Sequence, residues 1–589
     1  MDALRAGLGV PPPSPTANDV TDQSRATPLD DTVGRRRFLG AAASTAAALA
    51  LPWPTAAALG AARDHDQAET GAAASSDTAS GAADPPELAA LLEVTFSELA
   101  EGMDNGRWTA RTIVGEYLAA IEAVDRRGPS LNSVLEVNPD ALSIADALDE
   151  ERRTKGKRSA LHGIPILVKD NIGTADRMHT SAGSLALAES FAPRDAHLVE
   201  KLRAAGCIIL GKSNMSEWAN ARGRGAIGGW SGRGRLTKNP YALDRSAGGS
   251  SSGTAAAVSA NLAPAAIGTE TMGSIMTPSA LCGIVGVKPT VGLVSRAGII
   301  PVSYTQDTAG PMGRTVRDAA MLLSAIAGPD PRDKATTEGS IRRSADYTTF
   351  LDPDGLRGAR IGIARNLFGD SLVADRVIER ALDSMRAAGA VVIDNADVEN
   401  AEAIWGFNAE VLSYELKASL NEYLASLGAK SPVKSLKDLI AYNEKNSDRE
   451  MPWFGQETFL YAESKGGLDS IEYIEALGTV RQLARKGGID ATVEKHQLDA
   501  IVAPTTSPAW LADVLLGDNA VLGAFVVAAA AGYPSITVPA GDVLGLPVGM
   551  LFMGPAWSEG KLLKLAYGFE QQVRARRAPT FLPTVPIRP

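Results

Sequence analysis

Apolar positions along this chain fall into two periods that take turns. Ile113, Tyr117, Ile121 and Val124 recur at helical spacing between Thr109 and Asp125, and Asn138-Pro139 then opens a further helix with proline at its first position. The run "GIPILVKDN" is short, apolar and bounded by glycine and proline, which predicts a strand ending at Lys169. "AHLVEKLRAAGCIILGKSN" reads as a helix, a glycine stop and a buried strand. The same grammar returns in "RIGIAR", in a helix from Arg376 to Ala388 with "VVID" after it, and in "DAIVAP", "SITVP" and "PVGMLFMG" before a last helix from Lys561. Such alternation predicts an α/β fold. The stretch from Ala401 to Arg485 is mostly helical, with "AEAIWGFNAEVLSYELKASLNEYLASLG" as one long element. An insertion of this kind either walls a substrate pocket or simply packs on the sheet.

The N-terminal pattern is of another sort. "GRRRFL" at residues 34–39 precedes the Ala-rich run "GAAASTAAALALPWPTAAALGAA", and Arg35, Arg36, Phe38 and Leu39 fit a twin-arginine export signal. A retained anchor or a buried helix is the competing reading, but Pro52 and Pro54 interrupt the run and small residues dominate it. Residues 1–62 are therefore expected to be a signal segment that sends the protein to the periplasm or beyond the cell, with no stable membrane association after cleavage. Residues 63–86, acidic and small with no apolar period, read as a disordered linker, which leaves 87–589 as one catalytic domain.

Composition narrows the partners. Hydrophobic residues at 45% and charged residues at 21% allow a large core, while 58 basic against 68 acidic side chains, a net charge of -10, argue against nucleic acid. A small-molecule or peptide substrate is expected, and no oligomeric partner is read from the sequence. Two cysteines, Cys207 and Cys282, sit in apolar runs as buried thiols, and no Cys/His spacing suits zinc. No metal and no cofactor is expected.

The chemistry-bearing stretch is "AGGSSSGTAAAVSANLAPAAIGTETMGSIM" at residues 247–276. Its five-residue piece "GSSSG" matches G-x-S-x-G with Ser251 at the centre, the pattern of a histidine-assisted nucleophile elbow, and five histidines are available to the whole chain. A different scheme is suggested by the flanks. "GGSSSG" empties into an Ala-rich helix, and "TMGSIMTPSA" does so again, with Thr277 as cap and Pro278 as first helical residue, so that N–H groups of two loops point outward. Two such loops can build an oxyanion site. Lys169, at the end of an apolar strand, is either a surface lysine or a buried base.

These loops resemble those of the amidase signature hydrolases. "GGSSSG", "GTETMGSI", the 24 residues from Ser250 to Ser274, "GIPILVKDN", "LCGIVGVKPTVGLVSR" and "QDTAGPMGRTV" carry the resemblance across most of residues 88–575. "SEWAN", "GWSGRG", "NPYALDRS" and "VAPTTSPAW" are similar to the bacterial peptide amidases within it, which remove the C-terminal amide of peptides as ammonia. The resemblance implies a large single-domain fold, a mixed central sheet covered by helices on both faces. It also implies a Ser-Ser-Lys triad: Ser274 as nucleophile, Ser250 as bridging serine after a cis peptide bond, Lys169 as general base. Thr271, Met272, Gly273 and Ser274 would supply the oxyanion hole through their backbone, with Ser251 and Ser252 either orienting Lys169 or capping the helix. A broader aliphatic or aryl amidase with esterase activity, or a non-catalytic secreted protein of the same fold, is the alternative. Two positions depart from the common pattern, Met272 for glycine and Met276 for arginine, and both bear on the pocket. Arg222, Arg224, Arg233 and Arg235 face either a substrate carboxylate or solvent.

Overall fold

The computed structural model describes residues 91–369, 371–429, 431–519 and 523–586. The expected export segment over 1–62 and linker over 63–86 lie outside the described residues.

The strands along the described chain are β1 (Val134–Val137), β2 (Pro165–Lys169), β3 (Ile208–Ser213), β4 (Trp230–Ser231), β5 (Arg235–Leu236), β6 (Ala265–Glu270), β7 (Val285–Lys288), β8 (Thr308–Gly313), β9 (Arg360–Ile363), β10 (Val391–Ile393), β11 (Ala500–Pro504), β12 (Ser535–Val543) and β13 (Leu546–Met553). Strands β4 and β5 form a small ribbon, and the other 11 form one sheet in the order β1-β3-β2-β6-β8-β7-β12-β13-β11-β9-β10. Pairs β2/β3, β2/β6, β9/β10 and β9/β11 are parallel and the rest antiparallel, so the sheet is mixed as expected. Every residue of β2, β3, β6, β7, β8 and β11 is buried. Side chains of a strand alternate between faces, so complete burial means that both faces are covered. That is why β2 and β11 read as nearly unbroken apolar runs.

Local chemistry sets the boundaries. The helix Ala110–Ala120 starts at Thr109, whose hydroxyl accepts the Thr112 N–H while Thr112 answers in kind, and Ile113, Tyr117, Ile121 and Val124 all face the core. Asn138-Pro139 does not open its helix. Asn138 instead continues the sheet edge, donating its N–H to Leu210 O and its amide to Ile209 O, and its Oδ1 accepts the Asp140 N–H so that the helix begins at Ala141. Both cysteines are free and buried.

The predicted long helix is present as Ala401–Ser426, followed by Leu436–Lys445, Ser447–Glu450, Glu457–Glu463 and Ile471–Arg481. These helices have their own core, in which Leu416, Leu420, Leu439 and Phe459 pack with Met215 and Trp218 of the sheet-side loops. The insertion is thus fastened to the segment after β3, and that segment leads to the site.

Candidate active site

The register of β2 against β6, Leu167 to Ala266 and Val168 to Ile267, carries Lys169 alongside the far end of β6. Its side chain is fully buried and its Nζ donates to Ser250 Oγ at 2.7 Å, to Thr269 Oγ1 at 2.9 Å and to Thr269 O at 3.2 Å. Thr269 is held in turn: Asn171 Nδ2 donates to its hydroxyl at 3.0 Å, and Ser251 Oγ donates to its carbonyl at 3.0 Å. Burial pushes the Lys169 ammonium down to about 7, against the upward pull of the Asp307 and Glu270 carboxylates. Complete burial excludes a surface strand-end lysine, and the lowered value makes the neutral amine accessible near neutrality.

Ser250 follows Gly249 through a cis peptide bond. Its carbonyl accepts the Ser216 N–H at 3.0 Å, and the Ser251 N–H reaches Ser274 O at 3.1 Å, which ties the two serine loops together. Ser250, Ser274, Gly249, Thr271 and Met272 all line one cavity of about 530 Å³. Ser251 does not line it. Its hydroxyl is buried against Thr269, so it braces the lysine's acceptor without touching the lysine, and it is not displayed as an elbow nucleophile would be. Ser252 starts the helix Ser252–Ser259 with a buried hydroxyl that makes no hydrogen bond among the described residues; neither serine caps the helix through its side chain. None of the four histidines among the described residues lines the cavity.

The second loop is shaped by a carboxylate that sequence reasoning passed over. Glu270, the last residue of β6, accepts the N–H groups of Ile275 at 2.8 Å and Met276 at 3.0 Å through Oε2. The helix therefore begins at Met276, two residues ahead of the expected Pro278 start. An acidic side chain there satisfies orphan donors and complements the helix dipole. With Ile275 and Met276 occupied, the N–H groups of Met272, Gly273 and Ser274 have no acceptor among the described residues. Gly273 has φ +85°, and a Cβ there would strike the Phe525 ring, so glycine is required for the turn that aims these donors. Thr271 points elsewhere, donating its hydroxyl to Asp307 Oδ1 at 2.6 Å, while Asp307 also accepts from Val302 N and Ser303 N. Burial holds the Asp307 carboxyl above the usual carboxylate range.

The insertion walls the cavity. Trp405, Leu412 and Leu416 of Ala401–Ser426 and Tyr461 of Glu457–Glu463 face it. Asn408 of the same long helix donates to Met272 Sδ at 3.4 Å and is itself bonded by Gln306 Nε2 at 2.5 Å, so the Met272 side chain is held toward the insertion. Met276 is fully buried and its side chain is absent from the lining. Of the four arginines singled out, Arg224 alone lines the cavity; Arg222 is buried over the Phe454 ring at 4.2 Å, Arg233 pairs with Glu136 at 2.6 Å, and Arg235 is exposed.

Comparison with known proteins gives the family of the chain and of its fold. The family model Amidase matches residues 112–563. A probable amidase of Arabidopsis thaliana is 42% identical over 501 residues, 84% of this chain and 92% of that protein. Among solved structures, the native peptide amidase from Stenotrophomonas maltophilia superposes with a TM-score of 0.79 at 50% identity, over 83% of this chain and 99% of that one. An amidase family protein from Bacillus anthracis superposes with a TM-score of 0.76 at 37% identity, over 84% of this chain and 94% of that one.

Proposed function

This chain belongs to the amidase signature family and is an amidase, and from that premise we propose that it releases ammonia from the C-terminal carboxamide of peptides through an acyl-enzyme on Ser274. The observation that carries the mechanism is the 2.7 Å hydrogen bond from the buried Lys169 Nζ to Ser250 Oγ, opening into a cavity that Ser274 also lines. Neutral Lys169 accepts the Ser250 hydroxyl proton as Ser250 accepts that of Ser274, and the Ser274 oxygen attacks the carboxamide carbon. The carbonyl oxygen becomes an oxyanion that the N–H groups of Thr271 to Ser274 receive. Collapse breaks the C–N bond, and the proton returns from Lys169 through Ser250 to the leaving nitrogen, which departs as ammonia. Water then enters, loses a proton along the same path, and frees the carboxylate from Ser274.

Peptide substrates are supported by the 50% identity with the Stenotrophomonas maltophilia peptide amidase and by a cavity walled with Trp405, Leu412 and Tyr461, which suits a side chain behind the scissile amide. The test is ammonia release from peptide amides set beside simple aliphatic and aryl amides, with an active-site sulfonyl fluoride mapped by mass. Label on Ser274 and preference for peptide amides are expected. Label on Ser251 overturns the triad; equal turnover of simple amides overturns the peptide specificity. The proposal extends to location: the Arg35-Arg36 signal exports the folded enzyme, and replacing both arginines by lysine traps active precursor in the cytoplasm. Unchanged export refutes it.

A further inference from the structure

Behind the cavity wall lies a buried charged cluster that the proposed chemistry does not use. The segment after β3 runs through Glu217, Trp218, Ala219 and Asn220, the last three all in the left-handed region at φ +50°, +56° and +68°. Ala219, Asn220, Ala221 and Arg224 line the cavity, so this strap is one of its walls. Three successive left-handed residues without glycine are costly and persist only where the surroundings enforce them. What enforces them here is anchored in Glu217, Arg222 and Glu450, which are 2%, 1% and 0% exposed.

The cluster holds two carboxyl groups for one guanidinium. Glu217 Oε2 accepts the Gly232 N–H at 2.7 Å, and its Oε1 lies 3.4 Å from Arg222 Nε. Glu450 ends the short insertion helix Ser447–Glu450; its Oε1 accepts the Leu185 N–H at 2.8 Å and the Ser184 hydroxyl at 3.1 Å. Its Oε2 has no partner among the described residues, and both carboxyl groups crowd Gly232, where a Cβ would strike Glu450 Oε2 and lie 2.9 Å from Glu217 Oε2. Arg222 also donates to the Glu450 carbonyl, and its own carbonyl accepts the Phe459 N–H at 3.1 Å. The strap is therefore sewn to the insertion at this one buried point. Other titratable groups facing it are Glu457, from the next helix, and Tyr442, from Leu436–Lys445. Neither supplies a second cation.

Two adjacent buried carboxylates cannot both ionise against a single guanidinium without a large electrostatic cost. We infer that Glu217 and Glu450 share one proton, and that this proton positions the Trp218–Arg224 strap as a wall of the substrate cavity. A neutral Glu217 carboxyl donates its O–H to the unpartnered Glu450 oxygen, leaving one carboxylate for one guanidinium. Burial first, and the Glu450 charge second, hold the Glu217 carboxyl well above the usual range. The sign follows: the clamp is complete below that raised value and is lost as pH rises through it. Glu217 and Glu450 are positioning residues, and their influence on substrate rests on the reading of this cavity as the substrate site.

The experiment measures KM and kcat for a peptide amide from acid to alkaline pH, over the whole range in which the protein stays folded, in wild type and in Glu217→Gln, with tryptophan fluorescence recorded in parallel. In wild type KM rises by up to about tenfold per pH unit above the raised value, the limit for one linked proton, while kcat holds its plateau. Glu217→Gln keeps an N–H donor for Glu450 and removes the titration, so its KM profile flattens; Glu450→Ala raises KM at every pH. Fluorescence shows a matching transition that disappears in Glu217→Gln and in Trp218→Phe. A KM that stays flat in wild type, or the same alkaline rise in Glu217→Gln, overturns the inference. If no peptide amide is turned over, the functional proposal fails by itself, and the fluorescence transition still decides the shared proton.

Discussion

The floor of the cavity and its wall are built by different means. The floor, Ser250 and the Thr271–Ser274 turn with Lys169 and Thr269 beneath them, stands at the ends of β2 and β6 and is fixed by β-register and by Gly273 at positive φ, with the Glu270 carboxylate holding the N–H groups of Ile275 and Met276. The wall, Trp405, Leu412 and Tyr461 with the 218–224 strap, is fixed by side chains, through the Leu416/Leu439/Phe459 core, the Asn408–Met272 contact and the Glu217–Arg222–Glu450 cluster. Trp405 and Tyr461 are 40% and 47% exposed, whereas Lys169 and Ser250 are 0%. Backbone-determined geometry tolerates little drift, which chemistry needs. A side-chain wall can change one residue at a time, which is how one reaction is offered to different substrates.

Variants at the floor are expected to act on kcat and variants at the wall on KM, and the contrast can be broken from either side. The largest effect belongs to Ser274→Ala. It removes the proposed nucleophile and is expected to drop kcat by about 10⁶-fold, the scale found when a serine nucleophile is deleted from a concerted site. Steady-state ammonia release with unchanged circular dichroism checks this, and a residual rate within tenfold of wild type would show that another residue attacks.

Next comes Lys169→Ala, with a loss of about 10² to 10⁴-fold in amide turnover. Esters have better leaving groups and need less proton return, so their hydrolysis falls less. Under the proposed mechanism the neutral amine is the active form, and with Lys169 pushed down to about 7 the rate is expected to climb through neutrality and level off on the alkaline side. A pH–kcat profile reads this directly; a profile that falls across the same range assigns the lysine the opposite role.

Gly273→Ala tests whether backbone alone aims the oxyanion donors. Its φ of +85° strains any side chain and the new methyl meets Phe525, so the loop moves and kcat falls by about 10²-fold, the scale of one lost donor. KM should hardly change. The smallest effect is at the wall: Trp405→Ala raises KM roughly tenfold, about 1.4 kcal/mol, with kcat within a factor of a few. Equal damage to kcat would mean that wall and floor are coupled and that the division drawn above is wrong.

Much of the floor could be read in one dimension. Lys169 ends an apolar run flanked by Gly163 and Asn171, and the two Gly/Ser loops precede small-residue helices, so the segments were visible as types and spacings, while the choice of Lys169 as base over surface lysine came from the family resemblance. The Thr269 brace was not visible, because only the pairing of β2 with β6 brings Lys169 beside a residue 100 positions further on. The Glu270 cap lies close in sequence, but the turn that folds Ile275 and Met276 back onto the carboxylate is set by the packed loop, and with it the helix start moved to Met276. A local rule favoured Pro278, and a carboxylate five residues upstream of Ile275 prevailed by taking the orphan donors.

The sequence by itself determined the alternation of helix and strand, the apolar runs of the central strands and the long helix from Ala401, since each of these depends on period, composition or short-range spacing, while the grouping of two serine loops with a lysine was implied by the family resemblance. Only the tertiary structure decided that Ser251 is a brace, that Arg222 is a buried partner of Glu217 and Glu450 while half-buried Arg233 pairs with Glu136, and that the insertion faces Ser274. A carboxylate 228 residues from the arginine that meets its backbone leaves no periodic trace in the chain. Its role is set by where the fold excludes water, and exclusion of water is a property of the packed whole.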